Sequence, residues 1–427
     1  MAENGVLKTQ LDNGLTVVLK EMHHAPVASF WVWYKVGSRN EIPGITGSAH
    51  WVEHMMFKGT ETFPGEEMDR AVSRVGGRRN AFTWMDYTAY FQTVPSQHID
   101  LALRIESDRM VNTVMSEEAT ESERTVILSE RHMYENRPTF LLFEELQATA
   151  FRVHPYHHET IGDEVDLVSM SRDDLYEFYR RYYAPNNATI VAVGDFDSAE
   201  LLEKIEAKFG GLDSAEPPDS ITRQEPPQRG ERQTTVRGPG DTTYLVYAYK
   251  APNAEHPDYF PLALLNAAFS GGGSVGNFGG GTTNKSSRLY EALVNQGLAV
   301  GTQGSMSPTK DPFLFYIIAV ASPGVAIDDL EVAMDAEIDR LGSEPLTQDE
   351  LDKAIKRTKV AFIRASESIT SQARMMGMAE TVMDDYGWFD KAIEQLEQVT
   401  LEDIERVRAQ YLRRDNRTVA RYLPQTA

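Results

Sequence analysis

The sequence predicts an α+β protein built from two homologous domains, each of mixed α/β layers, that arose by an internal duplication. Three observations support this prediction: a long-range repeat, a proline-rich stretch in mid-chain, and strand-like segments clustered beside runs of several helices. The pattern does not alternate strictly between strand and helix, so a fully parallel sheet is the weaker interpretation.

The repeat relates residues 171–193 to residues 400–422 without a gap. Each copy opens with a hydroxyl residue followed three positions later by an aspartate, which is a capping-box pattern that begins a helix. Each copy then runs into a β-rich segment. The positions that match at one constant spacing are Ser171 and Thr400, Asp174 and Asp403, Tyr182 and Tyr411, Asn187 and Asn416, and Thr189 and Thr418.

A polar stretch, residues 212–233, separates the two copies. It contains four prolines and shows no hydrophobic periodicity, as expected of an interdomain linker. We therefore expect an N-terminal domain at 1–212, a linker at 213–230 and a homologous C-terminal domain at 231–427.

The first half contains both kinds of element. Strand-like patterns lie at 15–22 and 27–38, and an alternation of apolar and polar side chains lies at 86–94. Helical patterns lie at 65–75, 98–111 and 116–135.

Composition narrows the classes of partner. The chain of 427 residues has a formal net charge of -22, from 64 acidic and 42 basic residues. Such a surface repels phosphate backbones and anionic membranes, so we expect no nucleic-acid and no membrane partner, and peptide substrates instead. The N-terminus has no basic start followed by an apolar stretch, which predicts a cytoplasmic protein, or a periplasmic one if a leader was removed. Cysteine is absent, so a metal site must use His, Asp and Glu.

The segment GSAHWVEHMMFKGT, residues 47–60, carries the densest cluster of metal-binding side chains. In a helix, His50 and His54 lie one turn apart on the same face, where two imidazoles can bind one zinc ion. Glu53 lies three positions after His50, about one turn on, where it could take a proton from metal-bound water. The order H-x-x-E-H is the inverzincin signature.

The bounds of this helix follow from its flanking residues. Thr46 or Ser48 is expected to cap its start, and Lys58-Gly59 supplies a basic last turn and a stop.

A third ligand is expected from the helix at 116–135. Glu123 and Glu130 are almost two turns apart, so their carboxylates share one face. The residues alone do not choose between the two, and a solvated acidic face is the alternative to any metal role.

Five segments resemble the pitrilysin family of zinc peptidases, and they occur in the family's order. These are residues 47–60, 76–94, 122–130, 154–162 and 182–196. The resemblance implies a pitrilysin-like half-clamshell of two related domains, the first bearing the catalytic zinc and the second without a metal site. It also implies that the histidines at 154–158 form a structural turn rather than a second metal site.

The resemblance implies a role for each residue of the cluster. His50, His54 and Glu130 would bind one zinc ion per chain, Glu123 would support them from the outer shell, and Glu53 would be the general base. Asn80 and Ala81 would bind the substrate backbone along an edge strand, and Phe82 and Phe57 would form a pocket. For the two phenylalanines, packing in the core is the alternative.

The second half departs from the family pattern. Val294 and Val300 stand where the family has an arginine and a tyrosine that contact substrate, and a valine side chain donates no hydrogen bond. We therefore expect the zinc-bearing subunit of a heterodimer whose homologous partner supplies that pair, with a homodimer as the alternative. A glycine-rich segment at 270–287 resembles a substrate-gating loop of the family, and an inconsequential insertion is the alternative.

The expected function is that of a zinc-dependent endopeptidase subunit, which hydrolyses short or unfolded peptides in a chamber formed by a dimer. The alternative is a non-catalytic structural or binding subunit of a larger assembly that retains the fold.

Overall fold

The computed structural model describes residues 5–218, 220–272 and 285–425. Eleven strands occur in those ranges, and they form one six-stranded and one five-stranded sheet. The strands are β1 Val6–Gln10, β2 Thr16–Glu21, β3 Val27–Tyr34, β4 Arg78–Thr83, β5 Thr88–Pro95, β6 Ala188–Gly194, β7 Arg232–Gly238, β8 Tyr244–Ala251, β9 Ala299–Met306, β10 Phe313–Ala321 and β11 Arg417–Pro424.

Fourteen α-helices accompany these sheets in the described ranges. They are α1 Ser48–Met55, α2 Glu67–Arg74, α3 Ile99–Asn112, α4 Glu117–Glu135, α5 Pro138–Ala150, α6 Glu164–Ser169, α7 Arg172–Tyr182, α8 Ser198–Phe209, α9 Tyr259–Phe269, α10 Ile327–Ser343, α11 Gln348–Ala365, α12 Ile369–Met383, α13 Trp388–Gln398 and α14 Leu401–Tyr411. The strands and helices predicted in the first half are confirmed. In the described part of the chain, no helix combines the length and apolar content needed to cross a membrane.

The chain forms two compact units, and each is assembled from separate stretches of sequence. The first unit contains residues 1–131, 158–222 and 366–388, and the second contains residues 132–157, 223–365 and 389–427. Each unit therefore receives one helical segment from the other half of the sequence: α12 belongs to the first unit and α5 to the second.

The first unit is organised around β3, whose residues after Val27 are all buried. The sheet order is β1-β2-β6-β3-β5-β4, in which β2 and β6 are parallel and the other neighbours antiparallel. Helix α12 packs on β3 and β6. Its Gly377 lies against the indole of Trp33, where a Cβ atom would come within 2.0 Å of Nε1. The close approach of this helix to the sheet therefore requires glycine.

The second unit repeats this topology. Its strand order is β7-β11-β8-β10-β9, and these strands correspond in turn to β2, β6, β3, β5 and β4 of the first sheet. The pair β7 and β11 is parallel, like β2 and β6, and the other neighbours are antiparallel. Helix α5 packs on β7 and β11. The Arg232 side chain donates hydrogen bonds to two backbone carbonyls at the end of that helix, those of Thr149 at 3.0 Å and Ala150 at 2.5 Å.

The duplicated segments adopt the same local structure. Ser171 and Asp174 form a capping box at the start of α7, and the equivalent box of Thr400 and Asp403 starts α14. The side-chain amides of Asn187 and Asn416 each donate at 2.8 Å to the carbonyl of the preceding tyrosine of the repeat, Tyr182 and Tyr411. The predicted α+β fold with two homologous domains is confirmed.

Candidate metal centre

Helix α1 begins differently from the prediction. Its N-cap is Gly47, which has a φ of 87° and no side chain to accept a hydrogen bond. The buried carboxylate of Glu41 instead accepts the backbone N–H groups of Gly47 and Ala49, each at 2.8 Å. Burial raises the pKa of Glu41 well above its usual range. Glu41 therefore fixes the start of the helix on which the candidate ligands lie.

The two expected caps have other partners, so that prediction was wrong. The Thr46 hydroxyl donates to Asp166 at 2.7 Å, and Asp166 also accepts the N–H groups of Gly44 and Thr46. Ser48 donates to the carbonyl of Ile45. Both hydroxyls thus hold the loop before α1 rather than its first turn.

The structure brings His50, His54 and Glu130 together. One ligand atom from each lies within 4.8 Å of the others, and no second group of this kind occurs among the described residues. Oε2 of Glu130 lies 3.8 Å from Nε2 of His50 and 3.6 Å from Nε2 of His54. The histidines come from α1 and the glutamate from α4, so packing of the two helices creates the cluster.

The donor set of this cluster fits zinc. Two imidazole nitrogens and one carboxylate oxygen are a common ligand set for catalytic zinc, with one coordination position left open. Ligand atoms at zinc distances of about 2.0–2.2 Å in tetrahedral geometry lie roughly 3.3–3.6 Å apart. The two separations from Glu130, 3.8 Å and 3.6 Å, need to shorten by at most a few tenths of an ångström. Burial, followed by the neighbouring charge of His54, lowers the pKa of His50, which favours the neutral imidazole that a metal requires.

Glu123 occupies a different place from Glu130. Its Oε1 lies 2.8 Å from Nδ1 of His54, and its other oxygen forms an ion pair with Lys58. Burial acts to raise the pKa of Glu123, but the hydrogen bonds from His54 and Lys58 outweigh it and lower the pKa below its ordinary value. A charged carboxylate on Nδ1 leaves Nε2 of His54 for the cluster, as outer-shell carboxylates do around metal-bound histidines.

Glu53 lies beside the cluster without being one of its three members. Its side chain is buried, and Oε2 accepts a hydrogen bond from the Thr83 hydroxyl at 2.7 Å. Burial raises the pKa of Glu53 above its ordinary value. A carboxylate with a raised pKa is a stronger base once ionised, as proton transfer from water requires.

A cavity of about 370 Å³ opens beside these residues. Its lining combines charged, aromatic and polar side chains: Glu53, His54, Phe57, Lys58, Gly65, Glu66, Asn80 and Glu123. Asn80 lies on β4, the edge strand of the first sheet.

The other predicted substrate residues are less exposed. Ala81 is buried, and Phe82 packs edge-to-face on Trp31 and Trp33 with ring centroids 6.1 Å and 5.8 Å away. Phe57 and Asn80 therefore border the cavity, whereas Phe82 joins an aromatic cluster of the core.

The three histidines at 154–158 take part in other contacts. Nε2 of His154 lies 3.0 Å from Asp311, Nδ1 of His157 lies 3.1 Å from the carbonyl of His154, and Nδ1 of His158 lies 3.7 Å from Glu41.

Comparison with known proteins identifies the family. The insulinase (peptidase family M16) profile matches residues 16–164, and the profile of the peptidase M16 inactive domain matches residues 169–358. The zinc protease PqqE of Helicobacter pylori is 32% identical over 369 residues, which cover 85% of this chain and 80% of that protein. The chain belongs to peptidase family M16. The predicted membership of the pitrilysin-type family is thereby confirmed.

Other M16 proteins match along most of the chain. The beta subunit of the mitochondrial-processing peptidase of Lentinula edodes is 28% identical, with 94% of this chain and 86% of that protein covered. The crystal structure of a protease from Helicobacter pylori superposes with a TM-score of 0.91 at 29% identity, covering 98% of this chain and 99% of that one. A peptidase M16 inactive domain structure from Pseudomonas fluorescens, at 18% identity and a TM-score of 0.87, shares the fold.

The second unit contains Val294 and Val300, the two valines singled out in the sequence. Helix α9 presents apolar residues, and Val300 on β9 is 59% exposed. Val294 ends a π-helical turn that starts at Tyr290, and Arg288 forms an ion pair with Glu350. Of the predicted glycine-rich segment, residues 273–284 lie outside the described residues.

Proposed function

We propose that this M16 chain is the zinc-bearing subunit of an endopeptidase that hydrolyses short or unfolded peptides. The observation that carries the proposal is the approach of the Nε2 atoms of His50 and His54 to one carboxylate oxygen of Glu130, at 3.8 Å and 3.6 Å. The relatives described as zinc proteases support zinc as the ion. We propose one ion per chain.

In this proposal, His50, His54 and Glu130 hold the ion. Bound zinc supplies Lewis-acid polarisation of a carbonyl and lowers the pKa of water. Glu53 accepts the proton of the attacking water and then passes it to the leaving amine, with its carboxylate within reach of the cavity. Glu123 keeps His54 in the tautomer that turns Nε2 to the ion.

The edge strand β4 offers a means of holding the peptide. Within the described residues β4 has no strand neighbour on its outer side, so its backbone groups there can pair with an extended chain. Backbone pairing does not select a sequence, and it favours peptides without stable structure of their own. Asn80 and Ala81 lie on this strand, and Phe57 borders the adjoining cavity. We assign peptide binding to β4 and the adjoining cavity, with Phe82 packing beneath the strand on the core side.

A partner subunit completes the proposal. Val294 and Val300 provide no side-chain donor toward substrate, so a homologous subunit with an arginine and a tyrosine at these places would supply them. The relative named as a processing-peptidase beta subunit makes such a division of labour reasonable. A homodimer is the other arrangement, and activity of the purified chain alone would favour it.

The test combines metal analysis with peptide digestion. Glu53→Gln should retain zinc, because Glu53 is not a ligand, and should lower cleavage of an unstructured peptide by several orders of magnitude. His54→Ala should lose the metal as well. Glu61→Gln is the matched control, since Glu61 is exposed and lies outside the cluster, and it should behave as wild type.

Each variant is assayed alone and with a homologous subunit that carries the arginine and the tyrosine. A zinc-loaded wild type that cleaves no peptide under either condition would refute the peptidase assignment. The match of residues 169–358 to the peptidase M16 inactive domain would then favour the alternative, a non-catalytic structural or binding subunit.

A further inference from the structure

The edge strand β4 carries a second feature besides its free side. Its last residue, Thr83, donates a hydrogen bond from Oγ1 to Oε2 of Glu53 at 2.7 Å. The bond joins the strand proposed to hold the peptide to the side chain proposed to be the base. No other hydrogen bond to the Glu53 carboxylate occurs among the described residues.

Thr83 is held firmly on both sides. It pairs with Thr88 across the β4–β5 hairpin, and the Trp84 N–H donates to the Tyr87 carbonyl at 2.8 Å to close the turn. The preceding side chain, Phe82, packs against two buried tryptophans. A β-branched side chain has restricted χ1 freedom, so a fixed backbone also fixes the direction of the hydroxyl.

The two carboxylate oxygens of Glu53 have different surroundings. Oε2 accepts from Thr83, which leaves Oε1 without a hydrogen bond from the described residues and able to accept a proton from water. A carboxylate with one oxygen tethered loses most of its freedom to rotate about its last side-chain bond. A hydrogen bond to a charged acceptor is also among the stronger ones in proteins.

We propose that Thr83 is a positioning residue that aligns Glu53 for proton transfer and links that alignment to the strand on which the peptide docks. The inference rests on the proposed function. The competing interpretation is structural: Thr83 would be a β-branched residue that merely ends a strand. The two interpretations differ in what the hydroxyl does, so the test must remove it without changing shape.

Thr83→Val removes the hydroxyl and keeps the shape of the side chain. We expect unchanged zinc content, a KM close to that of wild type, and a kcat lower by about 10- to 100-fold, the range for a lost hydrogen bond to a charged group. Thr83→Ser retains the donor and should restore most of kcat.

Thr88→Val is the matched control. Thr88 lies directly across the hairpin, is buried, and donates to the Val36 carbonyl at 2.8 Å instead of to Glu53. The control should lose a comparable buried hydrogen bond but keep kcat.

Three results would overturn the inference while leaving the peptidase assignment intact: Thr83→Val with wild-type kcat, Thr83→Ser as slow as the valine variant, or an equal loss of kcat in Thr88→Val. A wild-type protein that retains zinc but cleaves no peptide would instead refute the proposed function, and this inference with it. Thermal unfolding of each variant separates a local effect on kcat from a general loss of structure.

Discussion

Replacing Glu123 with glutamine tests how the outer carboxylate supports the metal cluster. Glu123→Gln removes the negative charge that lies 2.8 Å from Nδ1 of His54 and that forms an ion pair with Lys58. The amide can still accept a hydrogen bond from the imidazole, so the geometry is kept while the electrostatic support is lost. Changes of this kind typically weaken metal binding 10- to 100-fold, or by about 1.4–2.7 kcal/mol.

The assay is competition for zinc against a chromophoric chelator, with each protein at the same pH. Glu130→Gln should weaken binding by more than Glu123→Gln, because it changes a ligand rather than the support of one. Glu118→Gln, an exposed position near the start of α4, is the control and should bind as wild type. Wild-type affinity in Glu123→Gln, or an equal loss in Glu118→Gln, would refute the reasoning.

Two further predictions concern stability. Nζ of Lys250 has no hydrogen-bond partner among the described residues and lies 3.0 Å from the ring centroid of Phe151. Burial lowers the pKa of Lys250 to about 6. Between about pH 6 and about pH 10 the unfolded chain therefore binds more protons than the folded protein does. The free energy of unfolding of the wild type should rise with pH in this range, by up to about 1.4 kcal/mol per pH unit. Urea unfolding of Lys250→Met, in buffers from about pH 6.5 to 9.5, should show no such rise of the free energy of unfolding with pH. The same pH dependence in both proteins would contradict the lowered pKa of Lys250. Glu106→Ala should cost about 3–5 kcal/mol in the same assay, since it leaves the buried guanidinium of Arg109 without its partner; a loss below about 1 kcal/mol would show that Arg109 finds another.

The sequence was most informative where function depends on local spacing. An H-x-x-E-H pattern within one helix places His50 and His54 on the same face whatever surrounds them. The repeat likewise predicted two capping boxes, which form at Ser171 and Thr400. These features depend on contacts a few residues apart, and the sequence states them directly.

Features that depend on packing between distant segments could not be predicted in this way. Glu123 and Glu130 share a face of α4, and only the approach of α1 distinguishes them: Glu130 comes near two Nε2 atoms, while Glu123 contacts Nδ1 of His54. Sequence reasoning assigned Lys58 to the last turn of the H-x-x-E-H helix and missed its ion pair with Glu123.

Glu41, Asp166 and Thr83 were missed for a related reason. Glu41 and Asp166 are acidic residues in a strongly acidic chain, and burial and backbone hydrogen bonds alone mark them as structural. Thr83 lies 30 residues from Glu53 in a strand where threonine is ordinary. The start of α1 was predicted wrongly because hydroxyl residues near a helix start suggest a side-chain cap. Here the Glu41 carboxylate, in the preceding loop, accepts the backbone N–H groups instead.

The reciprocal placement of α5 and α12 has a consequence for the order of events during synthesis. The ribosome completes every strand of the first sheet by Gly194, yet α12, which covers β3 and β6, emerges only after residue 369. The apolar surface of that sheet that α12 covers therefore stays uncovered until about 175 further residues have been translated. The nascent chain needs shielding during that interval, and a fragment released at the linker would be prone to aggregate however intact its own strands are.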